Sequence, residues 1–272
     1  MYNNYARKDR SKKENYIKYL EVHLTDHCNL NCKGCCHFSP LSPKVFLTLE
    51  EFEKDAERLS KIIHQKLNRL IFLGGEPLLN KDIIEFFRIA KKYFPNTDIQ
   101  VLTNGILLPK MDSSFWIVCR ELDIQIDITM YPINFDYSKV INKIKSESIR
   151  YFIYDDGIVE NKEFDKYCLD ITASQNSELN FFHECIMAKD CAFLAHGRIY
   201  PCQIAHNVKI FNDFFELDFK QSNEDFIDIY KVNDENEIYE FLTHPIPFCK
   251  YCDFSKHQKF KWERSKKIQS EW

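Results

Sequence analysis

The sequence predicts an α/β fold: a partial (β/α)6 TIM-like barrel with a small cysteine-rich C-terminal α+β extension. Three observations predict it. Short β-rich runs alternate with amphipathic runs of helical period from residue 19 to residue 154. Such alternation builds a parallel sheet from right-handed βα units. With the sixth strand candidate near residue 180 the stretch is about 160 residues, too short for the eight units of a closed barrel, which need about 250. After residue 182 the helical period fades and cysteines become frequent.

The elements follow in order. YLEVHL at 19–24 alternates and is rich in β-formers, so it is the first strand. A cysteine-rich loop follows. Residues 48–64 form a helix: Thr48 and Glu51 make a capping box, and Leu49, Phe52, Ala56, Leu59 and Ile63 recur at helical spacing. RLIFL at 69–73 is a strand running into Gly74-Gly75. Asn80 caps a helix to about Tyr93, and DIQVL at 98–102 is a strand ending at Thr103-Asn104-Gly105. Asp112 caps a helix to about Arg120. DIQIDIT at 123–129 is a strand, Ser138–Ser146 a helix, and Ile149–Tyr154 a strand. LNFF at 179–182 is the candidate for a sixth strand.

Composition narrows the function. A chain of 272 residues, 44% hydrophobic and 29% charged, holds a substantial core and is not globally disordered. No run of about 18 apolar residues predicts a membrane span, and MYNNYARKDRSKKENY carries no signal-peptide apolar region. A net charge of −4 does not mark a nucleic-acid binder, and neither nucleic acid nor membrane is an expected partner. Eleven cysteines, an odd number without a secretion signal, argue against a disulfide framework. They imply a reducing, cytoplasmic setting in which clustered cysteines mean metal or catalysis. The expected organisation is a basic N-terminal arm (1–18), the partial barrel (19–180), a cysteine-rich module (181–255) and a basic tail (256–272). Acids dominate 212–240, which is expected to be exposed.

The chemistry concentrates in two places. In DHCNLNCKGCCHF, Cys28, Cys32 and Cys35 form C-x3-C-x2-C on the loop after the first strand. Three thiolates hold three corners of an iron–sulfur cubane and leave one iron open, where a sealed carrier takes four cysteines. Zinc with His27 or His37 as a fourth ligand is the competing reading. This segment, LGGEPLL with Gly74-Gly75-Glu76-Pro77, and Thr103-Asn104-Gly105 stand in order, each at a strand's C-terminal end. Together they resemble the radical S-adenosylmethionine (radical SAM) enzymes over residues 17–155. The resemblance implies a [4Fe-4S] cluster on Cys28, Cys32 and Cys35. It also implies SAM chelating the open iron, and a Gly-Gly-Glu-Pro backbone against the methionine amino group. Asp127 or Thr129 would contact the ribose. The family usually carries an aromatic residue against adenine before the third cysteine. Here Gly34 stands there, and His37 or Phe38 is expected to supply the surface. Cys36 fits equally as a small buried hydrophobe.

The second place is Cys185, Cys202, Cys249 and Cys252. Four thiolates with a C-x2-C knuckle suit either an iron–sulfur cluster or zinc. The arrangement resembles the twitch module, a short SPASM-like domain, and so implies one auxiliary [4Fe-4S] cluster. Cys191 is the rival of Cys185. At this scale the chain resembles radical SAM alcohol dehydrogenases of aminocyclitol biosynthesis, such as 2-deoxy-scyllo-inosamine dehydrogenase, and radical SAM proteins of polysaccharide gene sets. The implied activity is reductive cleavage of SAM to a 5′-deoxyadenosyl radical. That radical would abstract hydrogen from a sugar, nucleotide-sugar or cyclitol and lead to a ketone, with the auxiliary cluster taking an electron. A low-potential donor such as flavodoxin or ferredoxin is the implied partner. Asp127, Tyr131, Arg150 and Asp155 lie near strand ends as acid–base candidates. Epimerisation with a thiol hydrogen donor, Cys191 among the spare cysteines, is one alternative; peptide or protein modification is the other.

Overall fold

A computed structural model of the chain describes residues 17–154, 159, 162–166, 169–171, 182, 185, 187–188, 191–253 and 256–272. Most of the N-terminal arm, Asp155 and residues 179–181 of the sixth-strand candidate lie outside the described residues.

The parallel strands are β1 (Leu20–Thr25), β2 (Arg69–Gly74), β3 (Asp98–Thr103), β4 (Gln125–Ile128) and β5 (Tyr151–Ile153). They pair in the order β5-β4-β3-β2-β1. β6 (Glu163–Lys166) stands outside this sheet. The sheet continues past β1 with β7 (Ala192–Ala195), again parallel, then with β8 (Arg198–Tyr200) and β9 (Ile227–Asp228), both antiparallel. The result is an open eight-stranded sheet, as a partial barrel requires. A sixth parallel strand joins on the far side of β1, not next to β5, so the cysteine-rich module grows from the barrel's first strand.

Helices α1 (Leu49–Ile63), α2 (Ile83–Tyr93), α3 (Ser113–Glu121) and α4 (Tyr137–Ser146) connect the parallel strands. Thr48 Oγ1 accepts from Glu51 N and Asp112 Oδ1 from Phe115 N, as the capping patterns predict. Asn80 behaves differently. Its amide donates to the Leu24 and Leu47 carbonyls, its Oδ1 accepts from Asp82 N, and α2 begins at Ile83. Its amide pins the end of β1, so the helix starts later than the sequence pattern suggests.

One face of the strands, with Leu20, Val22, Leu24, Leu70, Phe72, Ile99, Val101, Ile126 and Ile128, forms the main core with α1–α4. Side chains alternate across a strand, so the opposite face carries Glu21, His23, Gln100 and Asp127. All four are buried. A second core joins Phe38 and Leu41 of the cysteine loop to Phe193, Tyr200, Phe248, Tyr251, Trp272 and helix α5 (Gln203–Phe215). Helix α6 (Glu235–Leu242) follows, capped by Asp234. In the acid-rich segment Asp225 is buried and accepts from Phe248 N at 2.7 Å, which fixes the turn carrying Cys249 and Cys252.

Residues 256–272, basic in sequence, run back across the first cysteine loop. β10 (Gln258–Lys261) pairs antiparallel with β6. Beyond it, Lys33 N donates to Glu263 O and Ser265 N to Asn31 O, both at 2.9 Å.

Candidate functional site

The loop after β1 meets the ends of β2 and β3. Gly75 N donates to Thr25 O at 2.8 Å and Glu76 N to His27 O at 3.0 Å. This approach leaves no room for side chains: a Cβ at Gly74 would stand 2.1 Å from Thr25 O, and one at Gly75 2.1 Å from His27 O. Gly74 also adopts φ +127°, a region open to glycine at little cost. The two glycines therefore bring the cysteine loop flush against the next strand.

Glu76 ties in the third strand. Its buried carboxylate accepts from Thr103 Oγ1 at 2.6 Å, Asn104 N at 3.0 Å and Leu78 N at 3.2 Å. Burial pushes its pKa up to about 7, against the pull of these three donors. From the sequence, Glu76 is expected to complement positive charge or to sit at a helix N-terminus. It caps the short 3-10 turn Pro77–Leu79 and otherwise serves Thr103-Asn104. Asn104 Nδ2 reaches Asn29 Oδ1 at 2.8 Å, with Cys28 Sγ at 4.0 Å.

Cys28, Cys32 and Cys35 lie close enough for each thiolate's charge to act on its neighbours. Burial pushes the Cys28 thiol up to about 12, with the charges of Glu76 and Cys35 adding to it. Cys32 is raised by burial and by Cys35, and lowered by hydrogen bonds from Trp262 and Tyr131. Among the described residues, no three His, Cys, Asp or Glu side chains converge as for a single metal ion. A cubane asks for a different arrangement, with each thiolate on its own iron. Three thiols on one buried loop, served by N–H and O–H donors that favour thiolate sulfur, fit such a cluster.

The other predicted residues separate. Tyr131 reaches the thiols, its ring stacked on Phe164 at 5.5 Å and tilted against Trp262 at 5.8 Å. Thr129 N donates to Thr103 O, beside the Thr-Asn-Gly turn. Asp127 points lower in the sheet. It accepts from Gln125 Nε2 at 2.7 Å, and burial raises it to about 6. Arg150 lies at the opposite, N-terminal end of the strands, bonded to Asp98, Asp123 and Gln125. It does not join the cysteine end. Phe38 is committed to the second core, 5.1 Å from Phe211 and 6.2 Å from Trp272. His37 lies 4.7 Å from His23 and hydrogen-bonds Cys35. Gly34 adopts φ +61°, and the Phe260 ring stands 2.9 Å from where its Cβ would be.

Sequence reasoning passes over a polar layer between β1 and α5. His23 Nδ1 bonds Asp26 at 2.6 Å, and Gln203 Nε2 donates to Cys36 Sγ at 3.7 Å. Burial pushes Glu21 up to about 7, against the His37 charge and hydrogen bonds with Cys191 and Tyr19. Glu21 Oε2, His23 Nε2 and Gln203 Oε1 are buried without a hydrogen-bond partner among the described residues. The available signal is Glu21 and His23 alternating with leucine and valine in a strand that is otherwise apolar. Trp262 and Trp272 carry no such signal.

The second constellation also assembles. The charges of Cys185 and Cys252 raise Cys202, and those of Cys185 and Cys249 raise Cys252, in each case after burial. Cys191 hydrogen-bonds Glu21. Four thiols drawn from three segments would suit a cluster in which each thiolate takes its own iron.

Together the fold and site define a parallel α/β domain whose strand ends cradle a three-thiol loop. Residues 22–122 match the Radical SAM superfamily. The GTP 3′,8-cyclase of Nautilia profundicola is 33% identical over 97 residues, which are 36% of this chain and 30% of that protein. The GTP 3′,8-cyclase of Heliobacterium modesticaldum is 36% identical over 100 residues, again 36% and 30%. The chain thus spans less than a third of the curated relatives it matches. The crystal structure of BtrN in complex with AdoMet and 2-DOIA superposes with a TM-score of 0.54. It is 18% identical and covers 87% of this chain and 93% of that one, which shows a shared fold. No described helix is long and apolar enough to cross a membrane.

Proposed function

We propose that this chain is a radical SAM enzyme that oxidises a hydroxyl of a carbohydrate or cyclitol to a ketone. Cys28, Cys32 and Cys35 would hold a [4Fe-4S] cluster with SAM at its open iron. Cys185, Cys202, Cys249 and Cys252 would hold an auxiliary cluster. When bound, these groups supply one-electron reduction, the 5′-deoxyadenosyl radical and an electron acceptor. The chain's own residues do the rest. Gly74 and Gly75 let the backbone approach SAM, and Glu76 fixes Thr103 and Asn104 around it. Tyr131, Phe164 and Trp262 keep water from the thiols.

One observation carries the choice of a hydroxyl-bearing substrate. Glu21 Oε2, His23 Nε2 and Gln100 Oε1 are buried on the sheet's polar face with no hydrogen-bond partner among the described residues. Buried polar atoms call for a ligand or water that supplies hydrogen bonds. Hydroxyls both donate and accept, so they suit an imidazole, a carboxyl and an amide together. Glu21 Oε2, whose pKa stands near neutrality, would take the hydroxyl proton. Cys191 beside Glu21 favours a second reading, epimerisation, in which its thiol returns a hydrogen atom to the substrate carbon.

The test is an anaerobic assay of reduced, cluster-loaded enzyme with SAM and nucleotide-sugar or cyclitol pools in deuterated water. Loss of two mass units with stoichiometric 5′-deoxyadenosine supports dehydrogenation. Gain of one deuterium without oxidation supports epimerisation. SAM cleavage with no change in any small molecule moves the substrate to a peptide or protein and overturns the carbohydrate reading.

A further inference from the structure

The C-terminal strap, residues 258–272, touches the first cysteine loop from Asn31 to Cys35. Cys32 and Arg264 form an antiparallel bridge. Lys33 N donates to Glu263 O, Ser265 N to Asn31 O, and Trp272 Nε1 to Cys35 O at 2.8 Å. Phe260 fills the space over Gly34, whose φ of +61° and missing Cβ admit the ring. Trp272 anchors the end of the strap in the second core. Within this frame, the Trp262 indole nitrogen lies 3.1 Å from Cys32 Sγ. That is short for a hydrogen bond to sulfur, and the indole N–H is a donor only, so the sulfur is its acceptor.

We propose that Trp262 is a positioning residue that sets the reduction potential of the group held by Cys28, Cys32 and Cys35. The proposal rests on the radical SAM reading of that site. An N–H donated to a cluster thiolate stabilises added negative charge and raises the potential. Excluding water from the sulfur has its own effect, so the donor must be separated from the cover. The strap makes this separation possible. Phe260 and Trp272 hold the cover in place, while Trp262 alone presents a donor from the strap to Cys32 sulfur. Tyr131, from the loop after β4, is the other donor to that sulfur and is left intact by every variant below.

The test is an EPR-monitored redox titration of full-length protein loaded with iron and sulfide, with iron content and circular dichroism confirming loading and folding. Trp262→Phe keeps the ring and deletes the N–H; its first-cluster potential moves to more negative values. Trp262→His keeps a ring N–H, and its potential stays closer to the native one. Phe260→Leu keeps an apolar cover over Gly34 and leaves the potential near native. A native potential in Trp262→Phe overturns the proposal, as do equal shifts in Trp262→Phe and Trp262→His. A shift in Phe260→Leu as large as that in Trp262→Phe assigns the effect to water and overturns it too. If the loaded native chain shows no reduced [4Fe-4S] signal that responds to SAM, the radical SAM reading itself fails, whatever the variants do.

Discussion

The two cysteine constellations are built in opposite ways. Cys28, Cys32 and Cys35 lie within eight residues on one loop, so the chain itself keeps them near one another. Cys185, Cys202, Cys249 and Cys252 come from three segments, and two of them, Cys202 and Cys249, pack against the second core. The first group depends on two close backbone approaches at Gly74 and Gly75. The second depends on α5, the Asp225 lock on Phe248 N and the buried Phe248 and Tyr251. A local ligand set tolerates loosening of the domain around it; a non-local one is lost when the domain loosens, because chain entropy then separates its members.

Removing each set tests the contrast most strongly. Replacing Cys28, Cys32 and Cys35 by alanine is expected to abolish SAM cleavage while about half of the iron remains. Cys185→Ser is expected to lose that other half and Cys191→Ser to lose none, since Cys191 is engaged by a hydrogen bond to Glu21. Iron and sulfide analysis beside a 5′-deoxyadenosine assay reads both. Zinc in place of the residual iron would show that the second constellation is a zinc knuckle.

The next test breaks the local set without touching a cysteine. Gly75→Ala places a methyl 2.1 Å from His27 O, where backbone must move. A cost of at least about 3 kcal/mol is expected, read as a lower urea midpoint, together with loss of SAM binding. A midpoint within the error of the native protein would mean that β2 does not brace the loop.

The smallest effect lies at the seam between the regions. Burial raises Glu21 from 4.5 to about 7. The folded chain therefore binds its proton more tightly than the unfolded chain. Its contribution is fully present below about pH 4.5 and is lost as pH rises through about 7, a change of about 3 kcal/mol. Glu21→Gln is expected to flatten the pH dependence of urea stability over that window. An unchanged slope would mean that Glu21 stays charged when folded.

Much of the fold and of the first site is legible in the amino-acid order. The capping box at Thr48 and the apolar period of α1 appear where the sequence puts them. The Gly-Gly-Glu-Pro and Thr-Asn-Gly turns do stand beside the cysteine loop. Other expectations turn on contacts that no pattern encodes. Alternation puts Arg150 near a strand end, but it does not say which charges hold it there. Phe38 is a candidate cofactor surface in sequence, and a second core of distant residues takes it instead.

What the sequence alone determined is the order of βα units, the face of each strand that meets the helices, and the cysteine loop with its two glycines. These follow from periodicity, capping and steric exclusion, all acting over a few residues. The tertiary structure alone decided that Cys191 hydrogen-bonds Glu21, that Glu21 and His23 share a buried polar layer with Gln203, and that a basic tail presents Trp262 to Cys32. Each joins residues far apart in the chain. Such contacts are selected by the summed burial of whole elements, and no local pattern carries that sum.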